Sequence, residues 1–156
     1  EAPNKSRNDS REVKTVNLNK HEAPLIKINS KDLCSEINLM VDTGASVNII
    51  KLENIKGETL IDESDVIDLK GITEQPVTTM GVVIIEILGH DTPFHVVRNN
   101  FPIDCEGILG SEFLKDNEAT IDYKNNHIKW KGNKINFHKE SMVISARTIS
   151  TFYINI

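Results

Sequence analysis

An alternating apolar run in this chain stops abruptly at an acidic residue in a tight turn. In Ser35-Glu36-Ile37-Asn38-Leu39-Met40-Val41, the side chains of Ile37, Leu39 and Val41 share one face by period two, the mark of a half-buried strand. The run ends at Asp42-Thr43-Gly44-Ala45-Ser46. Glycine lets the backbone double back, and small residues leave room beside it. Backbone N–H groups and the threonine hydroxyl can hold a carboxylate in such a turn. A chain built this way delivers an acid from the end of a strand into a cleft.

The surrounding pattern predicts an all-β domain. Leu25-Ile26-Lys27-Ile28 is a first strand, and Asn29-Ser30-Lys31-Asp32 is a turn of polar residues. Val47-Asn48-Ile49-Ile50 is another short β-type run. Val66-Ile67-Asp68-Leu69 and Val77-Thr78-Thr79-Met80 flank Gly71 as a hairpin. Val82 to Leu88 is apolar on nearly both faces, which predicts a central strand with Phe94-His95-Val96-Val97 beside it. Ser111 is an N-cap candidate for a short helix through Lys115. Thr120-Ile121-Asp122-Tyr123 and His127-Ile128-Lys129-Trp130 form a closing hairpin. Residues 1–22 are polar and predict a flexible leader, with order beginning near Pro24. Residues 23–130 make the domain, and 131–156 a C-terminal extension or linker.

Composition narrows the function classes. The chain has 156 residues, enough for one modest core. A net charge of −5 argues against a nucleic-acid partner, which a basic face would attract. No apolar run reaches the ~18 residues that span a bilayer, and the polar start has no signal-peptide core. Cys34 and Cys105 are too few for a disulfide framework. His21, His90, His95, His127 and His138 are scattered without the spacing of a zinc site, so neither metal nor cofactor is expected. The start at Glu1 instead of Met suggests a piece excised from a longer polyprotein.

A second element joins the first. Cys105-Glu106-Gly107-Ile108-Leu109-Gly110-Ser111-Glu112-Phe113-Leu114 sets an apolar pair between glycines and leads into the short helix. Together with Leu39 to Ser46, in this order and about one small domain apart, it resembles the retropepsins. These are the aspartic proteases of retroviruses and long-terminal-repeat retrotransposons, here of the Ty3/gypsy-like type. Glu86-Ile87-Leu88-Gly89-His90 is similar to the retroviral enzymes at the matching place, and the likeness runs from about Pro24 to Tyr123.

The resemblance implies a closed, barrel-like β domain with one short helix, and one lobe per chain. It implies that Asp42 is the catalytic carboxylate, and that Thr43 bonds across a dimer to hold two catalytic loops together. Gly44 would receive the substrate backbone, and Ala45 and Ser46 would line the cleft. The hairpin at Lys70-Gly71-Ile72 would be a flap closing over a peptide, with Gly71 and Ile72 touching it. Ile108 would meet substrate side chains from below. The chain departs from the family in four places: a single glycine near the flap tip, Ser46 where aspartate is frequent, Glu112 where relatives carry aspartate, and the extension past Lys124.

Carboxylate-driven amide hydrolysis needs two acids sharing one proton. This chain contains one Asp-Thr-Gly, and Asp104 and Asp122 lack that context. A homodimer supplies the second Asp42 on its axis. The resulting expectation is an endopeptidase acting on its own Gag-Pol-type polyprotein, in the cytoplasm or in virus-like particles. A domesticated cellular protease of the same fold is a second reading, and an inactive dimerisation or peptide-binding module a third.

Overall fold

A computed structural model describes residues 11–17 and 23–138. The expectations for residues 1–10, 18–22 and 139–156 lie outside the described residues. In chain order the strands are β1 (Glu12–Thr15), β2 (Leu25–Ile28), β3 (Ile37–Val41), β4 (Ile49–Lys51), β5 (Ile61–Asp62), β6 (Ile67–Lys70) and β7 (Val77–Thr78). They continue with β8 (Gly81–Ile87), β9 (His90–Val97), β10 (Gly107–Leu109), β11 (Thr120–Asp122), β12 (His127–Trp130) and β13 (Asn133–Asn136). One α-helix, α1, spans Ser111–Asp116, and a 3-10 turn spans Leu52–Asn54.

The all-β class and the short helix stand as expected; the closed barrel does not. The main sheet has seven strands in the order β2-β3-β10-β4-β9-β8-β5, so β2 and β5 are its edges. Two three-stranded sheets flank it, β1-β6-β7 and β11-β12-β13. β5 is only two residues long, too short to extend the sheet around to β2.

Side chains alternating across the middle of the sheet build two cores at once. From β3, Leu39 and Val41 enter one cluster and Met40 the other; from β4, Ile50 and Ile49 divide the same way. From β10, Leu109 and Ile108 do so too. The first cluster holds Ile26, Ile85, Phe94, Phe113 and Trp130. There the rings of Phe113 and Trp130 meet edge-on with centroids 5.1 Å apart, a favoured aromatic geometry. The second cluster holds Ala45, Val47, Ile67, Leu69 and Ile108, directly beneath the turn that carries Asp42.

Three local expectations are corrected. The leader does not cover Glu12 to Asn17: β1 pairs in parallel with β6 from Glu12↔Ile67 to Thr15↔Lys70, and Val16 is fully buried. β8 is not central but lies second from an edge, and its burial alternates, with Ile84 49% exposed. The domain does not end at Trp130. β13 pairs with β12 through a tight turn at Lys131-Gly132, both at positive φ, as a type I′ hairpin turn requires. His138 then bridges to Leu25 at the edge of the main sheet.

Cys34 and Cys105 are both free. Cys105 is buried, and loss of hydration pushes its thiol up to about 11, so it stays protonated. Among the described residues no helix is long and apolar enough to cross a membrane.

Candidate active site

β3 runs its apolar face into the cores and releases Asp42 at its end. The Asp42 N–H donates to the Leu109 carbonyl (3.1 Å), which ties the start of the turn to β10. β10 lies between the strand that enters the Asp42 turn and the strand that leaves it, parallel to β3 and antiparallel to β4. The Ala45 N–H donates to the Asp42 carbonyl (3.1 Å), closing the turn. The Gly44 N–H donates to Asp42 Oδ1 (2.8 Å). Asp42 is 2% exposed, and its Oδ2 is buried with no hydrogen-bond partner among the described residues.

α1 docks onto this turn through its own unsatisfied backbone donors. The first N–H groups of a helix have no partner within it. Here the Ser111 N–H donates to the Ala45 carbonyl (2.7 Å), and the Glu112 N–H to the Ser46 carbonyl (3.2 Å). Ser111 is therefore the first helical residue, not the cap. Gly110 occupies the cap position without a side-chain bond. A Cβ at Gly110 would collide with the Val47 and Ala45 carbonyls, so only glycine allows this approach.

Asn48, noted in the sequence only as part of a β-type run, is the clamp of this region. It is 1% exposed; its Nδ2 donates to the Pro93 carbonyl (3.0 Å) and its Oδ1 accepts from the Gly110 N–H (2.9 Å). The one sequence signal was an amide set in the apolar stretch Val47 to Ile50. Asn48→Ala leaves a buried N–H unpaired, and we expect it to destabilise the fold by about 2 kcal/mol. A chemical-denaturation midpoint unchanged from the parent chain would sink this assignment.

Glu112 sits half-buried on the same helix, with Oε1 unpaired among the described residues. Burial raises its carboxyl above the ordinary range; Asp116 pushes the same way and Lys14 opposes. A raised folded-state value means that the folded chain disfavours the charged form. The penalty is absent below the ordinary glutamate range and full above the raised value. Glu112→Gln should therefore raise the urea midpoint modestly at neutral pH and leave it unchanged at about pH 3. A variant that is less stable at neutral pH would overturn the sign.

The expected site residues fall on the turn after β3, on β10 and on the loop between β6 and β7. Asp42, Thr43, Gly44, Ala45 and Ser46 form the turn after β3, with Thr43 and Gly44 exposed and Ala45 fully buried. Ile108 is fully buried under Ala45 in the second core. Gly71, at φ +101, opens the loop between β6 and β7, and Ile72 is half-buried against the same core. What lies between turn and hairpin is the chain's own segment Glu12 to Asn17, which the sequence did not reveal. A concavity of about 980 Å³ lies elsewhere: Lys56, Leu60, Ile61, Val82 and Ile84 are among its lining, and no residue of the Asp42 turn is. Among the described residues no group of three His, Cys, Asp or Glu could hold a metal.

The chain has a retropepsin-like β fold, and comparison with known proteins agrees with that fold. No family model matches the chain. A stretch of 89 residues is 38% identical to the retrovirus-related Pol polyprotein from transposon 412 of Drosophila melanogaster. That match takes in 53% of this chain but only 7% of the polyprotein's length. Among solved structures, the retroviral protease-like domain of Ddi1 from Leishmania major has a TM-score of 0.54 at 16% identity, covering 80% of this chain and 100% of that one. The EIAV protease complexed with the inhibitor HBY-793 has a TM-score of 0.44 at 23% identity, covering 65% and 93%. The Ddi1 likeness shows the fold. With the Pol likeness, it supports a domain of the retropepsin family.

Proposed function

We propose that the chain is an aspartic endopeptidase that works as a homodimer, with Asp42 of each copy forming the catalytic pair. The observation that carries this is the state of Asp42. One carboxylate oxygen is fixed by the Gly44 N–H, and the other is buried without a partner among the described residues. A buried half-satisfied carboxylate is costly in a resting fold. A second Asp42 sharing one proton with it across a two-fold axis would relieve that cost. Exposed Thr43 is free to reach the other copy's turn.

In that pair the ionised carboxylate takes a proton from water while the resulting hydroxide forms a bond to the scissile carbonyl carbon. The protonated carboxyl gives its proton to the carbonyl oxygen. Collapse of the tetrahedral diol breaks the C–N bond as the departing nitrogen is protonated, and the pair regains one shared proton. Gly44, Ala45, Ser46 and Ile108 line the floor, and Gly71 and Ile72 the cover. The substrate is an extended polypeptide, and the likeness to a Pol polyprotein favours the chain's own precursor.

The test is incubation of the purified chain with a diverse peptide library at mildly acidic pH, with cleavage mapped by mass spectrometry. Cleavage at a consistent set of bonds is expected. No cleavage by a chain that sediments as a dimer would leave the peptide-binding module as the reading.

A further inference from the structure

The groove between the catalytic turn and the Gly71 hairpin is filled by the chain's own residues. On one side, β1 runs parallel to β6, and the Val16 N–H donates to the Lys70 carbonyl (2.8 Å). On the other side the segment runs antiparallel to the catalytic turn. There the Asn17 N–H donates to the Gly44 carbonyl (3.0 Å), and the Thr15 carbonyl accepts from the Ser46 N–H (3.0 Å) and from Ser46 Oγ (2.7 Å). Successive backbone groups thus point alternately to the hairpin and to the turn, as in a strand inserted between two others. This is how an extended peptide is recognised by strand addition.

The side chains follow the same alternation. Val16 is fully buried in the second core with Ala45 and Ile108, whereas Thr15 and Asn17 are exposed. Val13 is 51% exposed, so it adds little apolar anchoring. Outside the groove, Arg11 Nε pairs with Asp68 Oδ1 (2.9 Å) on β6. The glycines of turn and hairpin are fitted to this occupant. A Cβ on Gly44 would strike the Asn17 carbonyl, and one on Gly71 would lie 2.6 Å from the Val16 carbonyl. Removing the segment would open the floor and cover that the protease reading assigns to substrate.

We propose that Glu12 to Asn17 is an intramolecular pseudosubstrate that occupies the peptide groove and must leave before another peptide binds. It also identifies the ligand class: an extended peptide placing one β-branched apolar residue in the pocket over Ala45 and Ile108, with polar neighbours facing out. This rests on the protease reading for the identity of the groove. A site covered by its own chain binds a second peptide with an affinity reduced by the fraction of time it stands open. Weakening the occupant therefore tightens binding in trans.

The test uses the full chain carrying Asp42→Asn, so that binding is read without cleavage. The probe is a fluorescein-labelled peptide of the sequence Arg11 to Asn17, followed by anisotropy. Val16→Asp removes the buried anchor, and Val16→Pro removes the N–H bonded to Lys70 and constrains the backbone at that position. Both should bind the peptide about tenfold or more tightly than the chain with Val16. Equal affinity in all three, or no binding in any, overturns the proposal. Loss of the fold in both variants also overturns it, because the segment would then be a structural strand and not a displaceable occupant. The same Val16 variants with Asp42 restored separate the two readings. Tighter binding without cleavage keeps the pseudosubstrate and removes the protease, whereas equal binding with cleavage does the reverse.

Discussion

Asp42→Asn should abolish peptide cleavage, lowering kcat/KM by at least about 10³-fold, with the fold intact. Asparagine keeps the shape of the side chain and an oxygen to accept the Gly44 N–H, so the turn survives. What it cannot do is take a proton from water or lend one to the carbonyl oxygen. In a symmetric dimer one substitution removes both partners of the pair, so base and acid roles vanish together. Because a buried carboxylate with Oδ2 unpaired among the described residues is costly, the thermal midpoint of the single chain should hold or rise. The measurement is kcat/KM on a peptide selected from the library, paired with a melting curve. Residual activity within tenfold of the parent, in a folded variant, would remove Asp42 from the chemistry. The parent should also show a bell-shaped pH profile, since the working pair holds one proton and loses function on gaining or losing one.

The parts of this fold that were legible in the sequence are those set by local pattern. The alternation from Ile37 to Val41, the Asp-Thr-Gly turn and the Gly-Ile-Leu-Gly segment each carry their conformation in a few residues, and each lies where expected. Less legible were features that depend on distant partners. β1 is polar and short, and its pairing with β6 joins residues more than fifty positions apart. None of its own side chains is buried, and the buried Val16 just after it is a lone valine that gives no period. β8 misled because an apolar run signals burial on both faces, yet its outer face carries the half-exposed Ile84 near a sheet edge. Ser111 has the chemistry of a cap, but Gly110 takes that place because the backbone must pass against the Val47 and Ala45 carbonyls. Asn48 was hidden for a similar reason: a buried amide has meaning only once both of its partners are known.

Dilution should separate the dimer from every single-chain account of activity. If each copy contributes one Asp42, the rate below the dimer dissociation constant rises with the square of the chain concentration. Tenfold dilution in that range then lowers specific activity about tenfold. The pseudosubstrate segment does not confound this result, because an intramolecular occupant competes equally at every concentration. A mixing experiment tests the same point at fixed total protein. With about a ninefold excess of the Asp42→Asn chain, freely exchanging subunits leave only about one parent chain in ten with a parent partner. Activity per parent chain should then fall about tenfold. A monomer with a complete site would keep full specific activity under both treatments. Thr43→Val adds a structural check: its hydroxyl is exposed in the single chain and its loss there costs little. If that hydroxyl bonds across the axis, the variant should shift the dilution curve to higher concentration while the melting curve of the diluted chain stays in place. An unshifted curve would mean that Thr43 makes no contact between copies, and the two turns would then have to be held together by other residues.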